Sequence, residues 1–261
     1  MEFGVLGFVV AGLLVGFIVG MTGVGGGSLM TPILLWFGIN PAAAVGTDLL
    51  YAAITKSGGV LVHTRHKNVD WRITGWLTLG SVPAAGLTLL FLHSLGADTQ
   101  ALNTVIKHAL GVVLLLTALA ILFKQKLLAF AHKHAGDHYH LGGASLNGLT
   151  ILTGVVLGTM VALTSIGAGA LGTVALFVLY PFLATRRLVG TEIAHAVPLT
   201  LVAGLGHASM GNMDWQLLGY LLCGSLPGIY LGSHLSGRIS DNVLRPCLAV
   251  MLFSIGYKLV F

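Results

Sequence analysis

Long apolar runs alternate with short polar breaks along the whole chain, and this pattern predicts ten helical segments. The runs lie near residues 4–21, 26–37, 43–62, 73–92, 103–123, 146–164, 169–184, 189–207, 215–235 and 243–260. Most approach the length of about 20 apolar residues that a helix needs to cross a bilayer core. The second and seventh runs are too short to cross upright, and each follows a glycine cluster. We therefore expect broken or re-entrant helices there.

The composition agrees with a chain that lies in a bilayer. Of its 261 residues 56% are hydrophobic and 8% are charged, whereas about a quarter are charged in an average soluble domain. The mean hydropathy is +0.93. These values argue against a soluble enzyme or a secreted domain. The net charge of +5 is spread thinly and forms no basic patch, so we expect the lipid bilayer as a partner and no nucleic acid.

The two halves of the chain repeat each other. Gly23 and Gly167 lie 144 residues apart, and the same offset pairs Val45-Gly46-Thr47-Asp48 with Val189-Gly190-Thr191-Glu192. Internal duplication of this length is typical of transporters built from two structural halves. We assign residues 1–123 to a first transmembrane repeat, 124–145 to a cytoplasmic His-rich linker and 146–261 to a second transmembrane repeat.

The basic residues predict that the two repeats are inverted, because Lys and Arg accumulate in short cytoplasmic loops. The basic loop at 63–72 corresponds to 207–216, which contains no Lys or Arg. Five segments per half then give opposite orientations. The sequence predicts an all-α, polytopic transmembrane bundle of two inverted repeats in the cytoplasmic membrane, with both termini outside.

The two glycine clusters are the first candidate substrate site. Glycines allow the backbone to open, and the helix that follows directs its N–H groups and positive dipole end into a cavity, which suits a small anion. The alternative is that the glycines permit close helix packing. The candidate residues are Thr22, Gly23, Gly25, Gly26, Gly27 and Ser28 in the first cluster and Ser165, Gly167 and Gly169 in the second.

Asp48 and Glu192 are equivalent by the repeat and lie in apolar segments. An intramembrane carboxylate is costly and by default indicates a functional pathway. We expect both to carry protons in coupled transport; the alternative is that each favours the N-terminal dipole of its own helix. The hydroxyls of Thr47 and Thr191, which precede them, are further candidate substrate ligands.

Lys56 and His195 complete the candidate site. Lys56 lies two helical turns beyond Asp48 on the same face, where it attracts an anion or serves as the counter-ion of Asp48. His195 follows Glu192 by three positions and is a candidate proton relay or substrate ligand, the alternative being a buried structural histidine. We expect no enzyme, because Ser165 lacks a base and the Glu-x-x-His pattern lacks the second His of a zinc protease.

The linker contains four histidines and an aspartate within residues 132–140. Such a tract can bind zinc or nickel, so a divalent metal exporter is the alternative function; a solvated linker is the other interpretation. We expect no resident cofactor and no metal site inside the membrane.

The stretch 18–32, IVGMTGVGGGSLMTP, followed by Ala44-Val45-Gly46-Thr47, resembles the first signature of the sulfite exporter TauE/SafE family of membrane permeases. The second half resembles it through Val189-Gly190-Thr191-Glu192 and the loop at 211–215. The resemblance implies a permease that moves sulfite, sulfoacetate or other small organosulfonates across the cytoplasmic membrane, generally outward. We accordingly expect a secondary carrier with a small anionic substrate, coupled to protons, and we leave a homodimer open as its assembly.

Overall fold

The computed structural model describes residues 4–22, 29–95, 99–123, 126, 143–234 and 241–260. In these ranges the chain forms ten α-helices and no strand, which confirms the all-α prediction. The helices are α1 (Val5–Thr22), α2 (Met30–Trp36), α3 (Pro41–Arg65), α4 (Trp71–Ser94), α5 (Thr99–Leu122), α6 (Gly143–Thr164), α7 (Ala170–Leu179), α8 (Thr185–Ser209), α9 (Trp215–His234) and α10 (Asp241–Val260).

Several helices extend beyond the apolar runs because polar residues cap their ends. The Asn40 side chain accepts a hydrogen bond from Ala42 N at 2.9 Å and begins α3. Asp70 accepts from Arg72 N and Ile73 N at 3.2 and 3.3 Å and begins α4. These side chains satisfy N–H groups that have no partner inside the helix.

Within the described ranges, four helices are long and apolar enough to cross a membrane: α4, α5, α6 and α8. The central helices α3 and α8 both have 25 residues. By contrast, α2 has seven residues and α7 has ten, which agrees with the prediction of two short segments. The chain breaks between α6 and α7 at Ser165 and Gly167, whose φ angles are +59° and +123°.

Helices of the first half pack in pairs against helices of the second half. The first helix of each half lies along the fourth helix of the other, α1 on α9 and α6 on α4, while α3 packs on α8 and α5 on α10. A Cβ on Gly12 would lie 2.3 Å from Leu221 O, and a Cβ on Gly154 would lie 2.3 Å from Leu77 O. These glycines therefore let the helix backbones approach closely.

These contacts also refine the residue offset that relates the two halves. Leu77 and Leu221 are 144 residues apart, but Gly12 and Gly154 are 142 apart. The second half thus has two extra residues between its first helix and its central helix. Residues before the break correspond at an offset of 142, and residues from α3 and α8 onward at 144.

The loops that follow α3 and α8 dock on each other's central helix. A Cβ on Gly190 would lie 2.3 Å from Asn68 O. The equivalent Gly46 has Asn212 O as its closest neighbour. Such contacts interchange when each residue is replaced by its counterpart, as they do about an approximate two-fold axis. The inversion of the repeats across the bilayer and the domain boundaries remain predictions.

The largest hydrophobic cluster lies between the central helices and joins Leu49, Ile106, Leu110, Val161 and Leu199. Large apolar side chains on the outer helix faces are exposed, as a bilayer requires. They include Leu6, Leu87, Leu90, Val156 and Val250.

Candidate functional site

Ionisable residues in the middle of α3 and α8 are buried inside the bundle. Asp48, Tyr51 and Lys56 on α3 and Glu192 and His195 on α8 are each at most 5% exposed. The crossing of α3 and α8 therefore brings ionisable groups from both halves to the centre of the bundle. Because ionisable groups in an apolar interior are costly, this cluster is the candidate functional site.

Asp48 is held at one carboxylate oxygen by Thr31, in the first turn of α2. The backbone N–H of Thr31 donates to Asp48 Oδ2 at 3.2 Å, and its hydroxyl donates to the same oxygen at 2.5 Å. Within the described ranges the other oxygen, Oδ1, has no hydrogen-bond partner. The short helix α2 thus fixes the rotamer of Asp48 and leaves one oxygen free.

Lys56 connects α3 to the break between α6 and α7. Its ammonium donates a hydrogen bond to the carbonyl oxygen of Ala168. No carboxylate of the described residues lies within 4.0 Å of its nitrogen, although Glu192 and Asp48 are close enough to interact with it electrostatically. The Ala168 carbonyl therefore does not use all the hydrogen-bond donors of the Lys56 ammonium.

The break itself is an ordered turn. Gly167 O accepts hydrogen bonds from Gly169 N and Gly172 N, both at 2.9 Å, and the positive φ of Gly167 suits a glycine. Ser165 is buried, and its hydroxyl faces the Asp48 carboxyl. In the part of the chain that the structure describes, Ser165 Oγ has no partner in hydrogen-bond geometry.

Glu192 lies against the first turn of α7. A Cβ on Gly172 would lie 3.1 Å from Glu192 Oε1, so the absence of a side chain at Gly172 makes room for the carboxylate. Among the described residues Glu192 Oε1 has no hydrogen-bond partner. The second carboxylate is therefore buried beside the break, as Asp48 is.

Two further pairs flank the carboxylates. His195 Nε2 lies 2.8 Å from the hydroxyl of Ser81 on α4. At the equivalent positions Tyr51 faces Ser225 on α9, whose hydroxyl donates to Leu222 O at 3.5 Å. Across the described chain, His195 Nδ1 and the Tyr51 hydroxyl have no bonded partner. The two halves thus use the same positions with different chemistry.

Thr47 and Thr191, two of the predicted ligands, contact loops of the opposite half. Thr47 Oγ1 accepts from Asp214 N at 3.2 Å, and Thr191 Oγ1 accepts from Asp70 N at 2.9 Å. The first glycine cluster lies outside the described residues, and of Thr22 only the backbone is described, so the roles of these residues remain predictions. They are Thr22, Gly23, Gly25, Gly26, Gly27 and Ser28.

Among the described residues no three His, Cys, Asp or Glu side chains are arranged to hold a metal ion. The His-rich tract at 132–140 lies outside them. The alternative of a divalent metal exporter therefore remains a prediction.

Sequence reasoning missed Thr31, Gly172 and Ser81 as parts of the site. The repeat contained a signal for Ser81, because Gly80-Ser81 and Gly224-Ser225 are matched at the 144 offset. The sequence carried no such signal for Thr31, because the 144 offset pairs it with Ala175.

Comparison with known proteins gives a family match. The family model for the sulfite exporter TauE/SafE matches residues 8–259. The chain is 44% identical over 253 residues to the probable membrane transporter protein YjnA of Bacillus subtilis, covering 97% of this chain and 98% of that protein. It is 28% identical to the probable membrane transporter protein MJ0441 of Methanocaldococcus jannaschii, covering 95% and 92%.

No solved structure gives a significant match. The family match spans nearly the whole chain, including both central helices, and four helices among the described residues are suited to crossing a membrane. This multi-pass membrane protein belongs to the sulfite exporter TauE/SafE family of membrane transporters.

Proposed function

We propose that this chain is a secondary carrier that exports small sulfur-containing anions, such as sulfite or organosulfonates, together with protons. The family description supports a sulfur oxyanion as the substrate class. The relatives are named only as probable membrane transporters. The argument for an anion and for protons therefore depends on the geometry of the site.

The observation that carries the proposal is the placement of Lys56. It is 5% exposed, and its described hydrogen-bond partner is an uncharged carbonyl, Ala168 O. An ammonium has three donors, so donors remain for an anionic oxygen. Hydrogen bonds to charged groups contribute about 1.5–3 kcal/mol each. Lys56 is accordingly the group that would attract the anion.

Charge balance supports coupling to protons. When fully ionised, Lys56, Asp48 and Glu192 carry a net charge of −1. A monovalent anion that arrives with one proton leaves that sum unchanged, so loading adds no further charge to a buried site, where charge is costly. Glu192 and Asp48 both lie close enough to Lys56 to interact with it electrostatically. We assign the coupled proton first to Asp48. We assign to Glu192 the role of balancing the positive charge of Lys56.

Such transport moves no net charge across the membrane for a monovalent anion. Its direction follows the combined gradients of anion and proton, and an anion accumulated in the cytoplasm leaves the cell. Alternating access would follow if one half rocked against the other. We place the chain in the cytoplasmic membrane with both termini outside.

The test is thermal stabilisation of the purified protein in detergent by sulfite, sulfate, sulfoacetate, taurine and a divalent metal, because a ligand that prefers the native state raises its stability. We expect stabilisation by sulfite or a sulfonate, and its loss in Lys56→Met. Lys107→Met is the matched control, since Lys107 is exposed on α5. Equal stabilisation of Lys56→Met and the wild type, or stabilisation by metal alone, would contradict the proposal.

A further inference from the structure

The two oxygens of the Asp48 carboxyl have different surroundings. Oδ2 accepts both hydrogen bonds from Thr31, at 3.2 Å from the backbone N and 2.5 Å from the hydroxyl. Oδ1 has no such partner in the described residues, and the Ser165 hydroxyl faces this carboxyl. Because two donors occupy Oδ2, a proton taken up by Asp48 belongs on Oδ1, the oxygen left for Ser165.

Ser165 has a backbone conformation that suits glycine better than serine. Its φ is +59°, in the left-handed region that costs an L-residue energy. In the register of α1 and α6, the equivalent position of the first half is Gly23. A serine retained at a strained and 1% exposed position, with no described partner for its hydroxyl, indicates a use for that hydroxyl.

We propose that Ser165 is a hydrogen-bond switch that couples protonation of Asp48 to binding of the anion. This inference rests on the proposed function. A serine hydroxyl has one hydrogen to donate. When Asp48 is ionised, Ser165 donates that hydrogen to Oδ1 and offers the anion only lone pairs. When Oδ1 carries a proton, it donates to Ser165 Oγ, and the Ser165 hydrogen is free to bind an anionic oxygen.

The switch places the anion between Ser165 and Lys56. Lys56 bonds to Ala168 O, three residues beyond Ser165 in the same turn. The same turn thus contains the Ser165 hydroxyl, which responds to the protonation of Asp48, and the Ala168 carbonyl, which holds the Lys56 ammonium that attracts the anion. No covalent bond changes in this step, since the proton remains on Asp48 and only the hydroxyl hydrogen of Ser165 rotates.

Other titratable groups around Asp48 are also in place to influence its charge. On α3 itself they are Lys56 and Tyr51. From α8 they are Glu192 and His195, both of which interact with Lys56, and His207, which bonds to Ala162 O at 2.8 Å. Asp214 begins α9 beside Thr47. The described groups of α2 and of the break that bond or face Asp48, Thr31 and Ser165, are neutral.

The experiment measures affinity for ethanesulfonate, whose charge is constant between pH 5 and pH 8, in the full-length protein and in Ser165→Gly. Glycine removes the hydroxyl and relieves the backbone, so Ser165→Gly should keep or raise the Tm. A structural role alone would not change the pH profile. Thr159→Ala is the matched control, because it removes a hydroxyl of α6 whose described hydrogen bond is to Val155 O of the same helix.

We expect wild-type affinity to fall from pH 5 to pH 8, with the same ratio of affinities in Thr159→Ala. In Ser165→Gly that ratio should shrink about tenfold, the size of one hydrogen bond to a charged group. A full wild-type ratio in Ser165→Gly overturns the switch while leaving the carrier proposal intact. A wild-type protein that binds no sulfonate or sulfite at any pH overturns the carrier proposal, and the switch with it.

Discussion

The two halves of the molecule share a scaffold and differ in the chemistry they place on it. In the first half Asp48 accepts hydrogen bonds from the backbone N–H and the hydroxyl of Thr31, while in the second half the longer Glu192 occupies space that Gly172 leaves open. Lys56 has Thr200 as its counterpart, and Tyr51 has His195. Symmetry therefore explains how the helices pack, whereas the asymmetric side chains decide what the centre can bind.

The strongest test of the shared scaffold is the substitution of Gly46 and Gly190, the two glycines that contact the docked loops. Gly46→Ala and Gly190→Ala should each destabilise the protein by about 3 kcal/mol, because a new Cβ would overlap a loop carbonyl. Thermal unfolding in detergent measures this loss. Gly58→Ala is the control on α3, since nothing lies within 4 Å of its new Cβ. Equal Tm values for Gly46→Ala and Gly58→Ala would contradict the close approach.

The two carboxylates should differ in their effect on pH dependence. Asp48→Asn keeps an oxygen for Thr31 but cannot carry the coupled proton. The ratio of ethanesulfonate affinities at pH 5 and pH 8 should therefore be at least tenfold smaller than in the wild type. Glu192→Gln should retain that variation, because Asp48 is unchanged. Binding measured across this range decides the assignment. The reverse pattern would move the coupled proton to Glu192.

The paired serines should differ in their contribution to stability. Ser81→Ala removes the 2.8 Å contact to His195 Nε2 and leaves a buried ring nitrogen without a partner, at a cost of about 1–2 kcal/mol. Ser225→Ala should cost less, since the Tyr51 hydroxyl is not in bonding geometry with any described residue. Urea or thermal unfolding of both variants provides the comparison, and a larger loss in Ser225→Ala would contradict it.

The smallest difference lies at the loop ends. Arg187 forms an ion pair with Asp70 at 3.0 Å, and the position equivalent to Arg187 in the first half is Ala43. Arg187→Ala should cost less than about 1 kcal/mol, because the Arg187 side chain is 47% exposed. The loss should shrink further in high salt. A salt-independent loss would show that packing rather than charge accounts for it.

The sequence predicted the helices well because apolar length and polar breaks are local signals. All ten predicted segments became helices in the described residues, with ends shifted by a few positions where caps such as Asn40 and Asp70 extend them. The burial of Asp48, Lys56 and Glu192 could also be anticipated from their apolar surroundings.

Pairings between distant elements could not be predicted in the same way. The local pattern does not show that Thr31 donates a hydrogen bond to Asp48 or that Lys56 donates one to Ala168 O. It also does not show that the Thr191 hydroxyl accepts one from Asp70 N. These contacts depend on how α2, α3 and the break meet in space. The two-residue shift between the offsets of 142 and 144 likewise required the contacts of α1 with α9 and of α6 with α4.

The central claim, that one proton accompanies each anion through the site of Lys56 and Asp48, is tested most directly by flux stoichiometry. The purified protein would be reconstituted in vesicles loaded with ethanesulfonate, and anion efflux and internal pH would be recorded together. The account predicts one proton leaving per anion in the wild type and no proton flux linked to the anion in Asp48→Asn. Wild-type efflux of ethanesulfonate without any change in internal pH would contradict it.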